Sequence, residues 1–164
     1  MHNSSLINMQ WAVETFLKDL RGKVLDVGSR QVENQIDTYK PLFTNTNLSY
    51  LGCDIVSGDN VNLIMPGLYD IPSSWGQFEA VITGQTIEHI EDTLKWLKVL
   101  FLAVKQQGYL VIIGPWSFQI HNHPIDCWRI LPDGYRWLFN QIPGATIRSI
   151  NVRACDVAVV VQKK

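Results

Sequence analysis

Early in the chain apolar residues return at helical spacing, at Val13, Phe16, Leu17 and Leu20, and the run gives way at Gly22. That spacing predicts an amphipathic helix covering one face of a sheet. The pattern then changes to short apolar runs separated by polar connectors. Runs from Lys23 to Val27, Leu48 to Cys53, Val61 to Ile64, Phe78 to Thr83 and Tyr109 to Ile113 read as strands. The last is apolar throughout, as in a parallel sheet covered on both sides. A loosely helical polar stretch, Gln31 to Tyr39, stops at Pro41, and Leu94, Leu97, Phe101 and Val104 share the face of a later helix ending in a turn at Gln106-Gln107-Gly108. Asp133 to Gln141 reads as a last helix, closed by Pro143-Gly144. Ala145 to Val152 and Val157 to Gln162, with only Arg153 to Asp156 between them, should pair as an antiparallel hairpin. The expected architecture is α/β: a mostly parallel seven-stranded sheet with an antiparallel C-terminal hairpin strand and helices on both faces.

No repeat, low-complexity tract or linker divides the 164 residues. We read one domain, 1–164, with an N-terminal helical segment (1–21), a binding half (22–114) and a final loop, helix and hairpin (115–164). Charge is nearly balanced, 14 Lys+Arg against 15 Asp+Glu without a basic run, which disfavours a nucleic-acid partner. The cysteines Cys53, Cys127 and Cys155 are odd in number and scattered, as for reduced thiols in a cytosolic protein. The N-terminus has no basic leader, and no apolar stretch approaches the roughly 20 residues of a membrane span. A cytoplasmic location without membrane attachment is expected.

Chemistry enters at the strand ends. The first strand closes on Asp26-Val27-Gly28-Ser29 and the second on Asp54. A glycine after the first strand permits a sharp turn and close approach of a ligand, and an acid ending the second can accept hydrogen bonds from both hydroxyls of a ribose. Neither G-x-G-x-x-G nor G-x-x-x-x-G-K-[ST] is present, so a pyrophosphate cradle, and with it a nicotinamide-dependent reductase, is disfavoured. A nucleoside cofactor without a phosphate chain fits better.

These pieces together resemble the class I S-adenosylmethionine-dependent methyltransferases, with their Rossmann-like fold, over nearly the whole chain. A closer resemblance, to the methyltransferase type 11 group, is carried by Phe78 to Asp92 with its Gly84-Gln85-x-x-Glu88-His89 core. A second block, Pro115-Trp116-Ser117-Phe118, His121, His123-Pro124-Ile125-Asp126-Cys127-Trp128-Arg129 and Pro132-Asp133-Gly134, resembles one branch of that group. The resemblance implies S-adenosylmethionine as cofactor and S-adenosylhomocysteine as product. Gly28 and Ser29 would meet its amino-acid end, Asp26 its ammonium and Asp54 the ribose hydroxyls, with Ile55 a further cofactor contact; Leu68 and Tyr69 could flank the adenine or simply pack in their loop. Where the group carries further glycines after the first, this chain reads Ser29-Arg30-Gln31-Val32.

Gln85, just past the fourth strand, is placed to meet cofactor or substrate. Glu88 and His89 should open the next helix, where the dipole alone favours an acid. His89 or His123 could serve as general base. Glu88, His121, Asp126, Trp128 and Arg129 are candidates for the acceptor side. Arg129 could hold an anionic group or simply pair with Asp126, and Trp128 could wall the pocket or anchor the loop. His121, His123 and Asp126 offer ligand types that bind zinc or iron, but a loop cluster without a fourth ligand or a helical H-x-x-x-H leaves no metal expected. The resulting expectation is methyl transfer to an oxygen or nitrogen of a small or carbohydrate-like acceptor. The alternative is a degenerate methyltransferase-like binding or assembly module, favoured by the glycine-poor loop. A homodimer is left open by Trp11, Trp96, Trp116 and Trp137, which suit core or interface equally.

Overall fold

In the computed structural model, which describes residues 3–32 and 37–164, seven strands form one sheet. They are β1 (Arg21–Val27), β2 (Asn47–Asp54), β3 (Leu63–Ile64), β4 (Phe78–Gly84), β5 (Val104–Pro115), β6 (Ala145–Arg153) and β7 (Asp156–Lys163), and their spatial order is β3-β2-β1-β4-β5-β7-β6. The first five run parallel. β7 is antiparallel to both β5 and β6, one place in from the edge, as the short connection between the last two strands requires.

Alternation along the buried strands explains how both faces are covered. On one face Val24, Val111, Ile113, Ala158 and Val160 meet α1 (Asn3–Ala12) and the π-helical turn Val13–Leu17 that continues it. On the other, Leu25, Leu110, Ile112, Val157, Val159 and Val161 meet α2 (Thr93–Ala103) and α3 (Pro132–Asn140). A strand that is apolar at every position therefore serves two cores at once. Local chemistry fixes the helix starts. Asp92 caps α2 by accepting a hydrogen bond from Lys95 N at 3.0 Å, and Pro132 occupies the first turn of α3, where no amide donor is needed.

Three expectations are corrected. Val104 is not the last residue on the α2 face: it opens β5 and pairs with Phe78, so Lys105 to Gly108 is a bulge inside the strand rather than a turn before it. Burial decides this, because Val104 is fully enclosed while the next three residues are exposed. Glu88 and His89 do not start α2 but form a separate 3-10 turn, Ile87–His89. Of the helical stretch expected from Gln31 to Tyr39, positions 33–36 lie outside the described residues and the described flanks are not helical. A 3-10 turn, Lys40–Phe43, follows instead. No described helix is long and apolar enough to cross a membrane.

Candidate functional site

The carboxyl ends of β1, β2 and β4 open into a cavity of about 790 Å³, inside the roughly 300–1,000 Å³ range of small-molecule and cofactor sites. Asp26, Gly28, Ser29, Asp54, Ile55, Leu68 and Gln85 line it on the strand side, and His89, His121 and His123 line it on the loop side. Sequence reasoning therefore places ten of its candidates around one space.

At the β1 end, Asp26 is buried and its Oδ2 accepts a hydrogen bond from Tyr50 Oη at 2.5 Å. Burial pushes this carboxyl up to about 7. The Tyr50 bond opposes that rise, and the Asp54 charge adds to it. Asn60 Nδ2 donates to Tyr50 Oη at 2.9 Å and to Ser29 O at 3.0 Å, while Ser29 Oγ donates to Asn60 O at 2.9 Å. Gly28 has φ +79°, and a Cβ there would lie 2.4 Å from Thr86 Oγ1, so only glycine fits this turn. Its amide and that of Ser29 both donate to Cys53 O, at 2.9 and 3.0 Å. The turn thus offers a ligand its open surface rather than those two donors. Asp54 accepts from Val56 N at 3.1 Å and from Arg30 N at 3.4 Å, one bond to each oxygen, which leaves each oxygen a further lone pair toward the cavity.

Gln85 adopts a left-handed backbone, φ +57°, held by its amide on Ile113 O at 2.9 Å. Its Nε2 donates to Asp156 Oδ1 at 3.0 Å and to Ser5 Oγ at 3.3 Å, so both amide hydrogens are used and only its carbonyl oxygen remains for the cavity. Ser5 also bonds Tyr39 Oη at 2.5 Å, and Ser4 Oγ donates to Asp156 Oδ2 at 2.5 Å. Through this network α1 supports the floor of the site.

The turn at Ile87–His89 and the loop from 116 to 131 form one unit. Cys127 N donates to Glu88 O at 2.7 Å, Trp128 Nε1 to Ile90 O at 2.8 Å, and His89 Nδ1 bonds Ile125 O at 2.6 Å. Arg129 ties the loop to itself: Nε donates to Phe118 O, Nη1 to Asp126 Oδ1 and Trp128 O, and Nη2 to Gln119 O and Asp126 Oδ2, all within 3.1 Å. Those five bonds use every guanidinium hydrogen. Held by Arg129 and by His121 N at 2.7 Å, the Asp126 carboxyl lies well below the usual carboxylate range.

Glu88 stands apart. It is 1 % exposed, neither carboxylate oxygen accepts a hydrogen bond from another described residue, and His89 Nε2 is 3.7 Å from Oε1. Burial pushes its carboxyl up to about 7, with its own backbone amide and the Arg129 charge offsetting only part of the effect. Burial likewise lowers His89, against the upward pull of the Ile125 carbonyl.

Several expected contacts are therefore redirected. Trp128 anchors the loop, and Arg129 and Asp126 brace it; none of the three lines the cavity. Tyr69 does not line it beside Leu68: its hydroxyl accepts from Asp92 N at 3.1 Å and its ring lies under Lys95 Nζ at 4.7 Å. Glu88 sits behind the histidines rather than on the wall. Tyr50, Asn60, Tyr39 and Asp156 were missed. For Tyr50 a signal existed, since strand alternation puts Tyr50, Gly52 and Asp54 on one face of β2 beside Asp26.

Comparison with known proteins places the fold. No protein-family model matches the chain, and no curated protein sequence does either. Among solved structures the chain is similar to the 1,6-didemethyltoxoflavin-N1-methyltransferase of Burkholderia thailandensis with bound 1,6-didemethyltoxoflavin and S-adenosylhomocysteine. That match has 12% identity and TM-score 0.75, and covers 98% of this chain and 79% of that one. It is also similar to a SAM-dependent methyltransferase of Aquifex aeolicus (15%, TM-score 0.70, 99% and 94% covered). A third is the magnesium protoporphyrin IX methyltransferase of Synechocystis PCC 6803 with bound SAH (13%, TM-score 0.66, 95% and 80% covered). At these identities the likeness shows the fold: Rossmann-like, as in the class I methyltransferases.

Proposed function

We propose that the chain transfers a methyl group from S-adenosylmethionine to an oxygen or nitrogen of a small acceptor, as a methyltransferase of the type 11 kind. The observation that carries this reading is a cavity that has strand-end carboxylates at one end and imidazoles at the other. The donor set suits the cofactor. Asp54 keeps lone pairs for two ribose hydroxyls, Asp26 offers a buried carboxyl for an ammonium, and Ile55 and Leu68 give apolar surface for a base. When bound, the cofactor supplies an electrophilic methyl on a sulfonium. The chain's own work is to align acceptor, methyl and sulfur and to receive the acceptor's proton. His89 or His123 serves as that base. Burial favours the neutral form of His89, and its Nε2 carries the free lone pair because Nδ1 faces a carbonyl.

The structural neighbours that act on a toxoflavin precursor and a porphyrin support a small-molecule acceptor; a carbohydrate-like one rests on the motif resemblance alone. Calorimetric titration with S-adenosylmethionine and S-adenosylhomocysteine, with NAD as control, tests the proposal. We expect micromolar binding that Asp54→Ala weakens by roughly 10–100-fold, the effect of losing hydrogen bonds to a charged group. No binding at millimolar ligand would overturn the reading in favour of a degenerate binding module, whose support is the turn that spends its Gly28 and Ser29 amides on Cys53.

A further inference from the structure

We propose that Glu88, His89 and His121 form a binding site for one divalent transition-metal ion on the loop side of the cavity. One ligand atom from each lies within 4.8 Å of the others, and the two imidazole rings meet edge to face with centroids 5.1 Å apart. The hydrogen bonds around them fix what each atom carries. His89 Nδ1 is 2.6 Å from Ile125 O, a group that can only accept, so Nδ1 holds the proton and Nε2 a lone pair. His121 Nδ1 faces Asp126 Oδ2 at 3.3 Å and Gln119 O at 3.4 Å, again acceptors only, so in the neutral ring the lone pair sits on Nε2. Glu88 adds a fully buried carboxylate to which no other described residue donates.

A buried carboxylate and two imidazoles thus stand together, and no other described residue donates to the carboxylate. Burying a carboxylate without a partner is costly, and a cation is what such a trio lacks. The surroundings follow the outer-shell rule for metal histidines, in which the far ring nitrogen donates to a carbonyl or carboxylate. Ligands about 2.1 Å from an ion stand at most about 4.2 Å apart. The 3.7 Å from Glu88 Oε1 to His89 Nε2 already satisfies that limit, and rotation of side chains that are 15 % and 25 % exposed can close the remainder. Two imidazoles and one carboxylate favour zinc, iron or manganese over magnesium and leave coordination positions open. This set differs from the His121, His123 and Asp126 trio of the sequence, whose acid is already held by Arg129. Where the methyl-transfer reading holds, an open position would bind the acceptor oxygen and lower its pKa, and the base would then be His123.

Chelator-treated protein titrated with Co²⁺, followed by visible absorption and by competition with Zn²⁺ and Mn²⁺, tests the site. We expect one equivalent bound, a raised Tm, and affinity falling by roughly 100-fold or more in both Glu88→Gln and His121→Ala, beyond the 10–100-fold usual for outer-shell changes. Glu88→Gln keeps shape and all histidines while removing a buried charge, so it should fold, and circular dichroism checks that it does. Unchanged Co²⁺ binding in Glu88→Gln would mean capture by surface imidazoles, and no binding at millimolar Co²⁺ would mean the carboxyl simply holds a proton; either overturns the proposal. Cofactor titration of the same samples separates the two readings. Protein that binds Co²⁺ but not S-adenosylmethionine keeps the metal site and loses the methyltransferase, and the converse holds.

Discussion

The strand side and the loop side of the cavity are built on opposite principles. On the strand side, Asp26, Ser29 and Asp54 each have hydrogen-bond partners from neighbouring elements, and the backbone of β1 and β2 sets their positions. On the loop side, the bracing groups are saturated while the groups facing inward are not. Arg129 uses all its donors and Asp126 is clamped, yet Glu88 accepts from no other described residue and stands with two imidazoles, one ligand atom of each within 4.8 Å of the others. A side whose polar groups are already satisfied can hold a ligand by shape and a few spare lone pairs. A side with unsatisfied bases demands an electrophile, a proton or a cation.

The largest effect should come from cutting the brace. Arg129→Ala leaves the Asp126 carboxylate, 1 % exposed at its side chain, with its strongest partner gone. Removing one member of a buried pair costs about 3–5 kcal/mol, and partial exposure of Arg129 puts this case near 3. We expect the loop to become protease-sensitive and turnover to collapse while S-adenosylhomocysteine affinity on the strand side is retained. Equal loss of both would show the two sides to be one unit. Next is Gly28→Ala, which forces a side chain into a positive-φ position and against Thr86. It should cost about 1–3 kcal/mol in thermal stability and weaken cofactor binding without changing Co²⁺ binding.

A distinct pH signature belongs to Asp26. Its carboxyl titrates near 4 when unfolded and near 7 when folded, so between those values the native state holds a proton the unfolded state has lost. Stability must therefore fall as pH rises from about 4 to about 7, and level off above. Asp26→Asn should remove that share of the slope in chemical denaturation curves. Tyr50→Phe deletes the bond that lowers the carboxyl, so the falling limb should extend above pH 7. Binding of a cationic ammonium favours ionised Asp26, so S-adenosylmethionine affinity should rise with pH up to about 7, and in Tyr50→Phe that rise should move higher. An unchanged profile would mean the ammonium is held elsewhere.

How much was legible in the sequence follows the same division. The strand side could be read because backbone geometry imposes it: an apolar run that ends in Asp26-x-Gly28, and another that ends at Asp54, can be placed at a sheet edge without knowing any contact. The loop side could be located but not resolved. His89, His121 and His123 were found together, but nothing in their spacing tells that Arg129 spends its donors on Asp126 and loop carbonyls, or that Glu88 turns inward. The 3-10 turn at Ile87–His89 sets that orientation, closed by His89 N on Thr86 O and Ile90 N on Ile87 O and held by Cys127 N and Trp128 N, which bond Glu88 O across a long sequence gap. Val104 failed for a related reason: its place on a helical stripe and its pairing with Phe78 both satisfy burial, and the pairing prevailed.

The finest distinction concerns Leu68 and Tyr69, neighbours that the sequence offered equally to the adenine. Only Leu68 lines the cavity; Tyr69 serves α2, accepting the Asp92 amide and stacking under Lys95. Tyr69→Phe should therefore cost about 0.5–1 kcal/mol in stability, the worth of one hydrogen bond, and leave cofactor affinity unmoved. Leu68→Ala, at a half-buried residue packed against the core, should cost about 1 kcal/mol in stability and also weaken S-adenosylhomocysteine by about fivefold, on the order of 1 kcal/mol of apolar contact. If instead Tyr69→Phe lowers affinity, the loop after β3 must reorganise when the cofactor binds. The strand side would then be no more preformed than the loop side, and the contrast between them would hold only for the free protein.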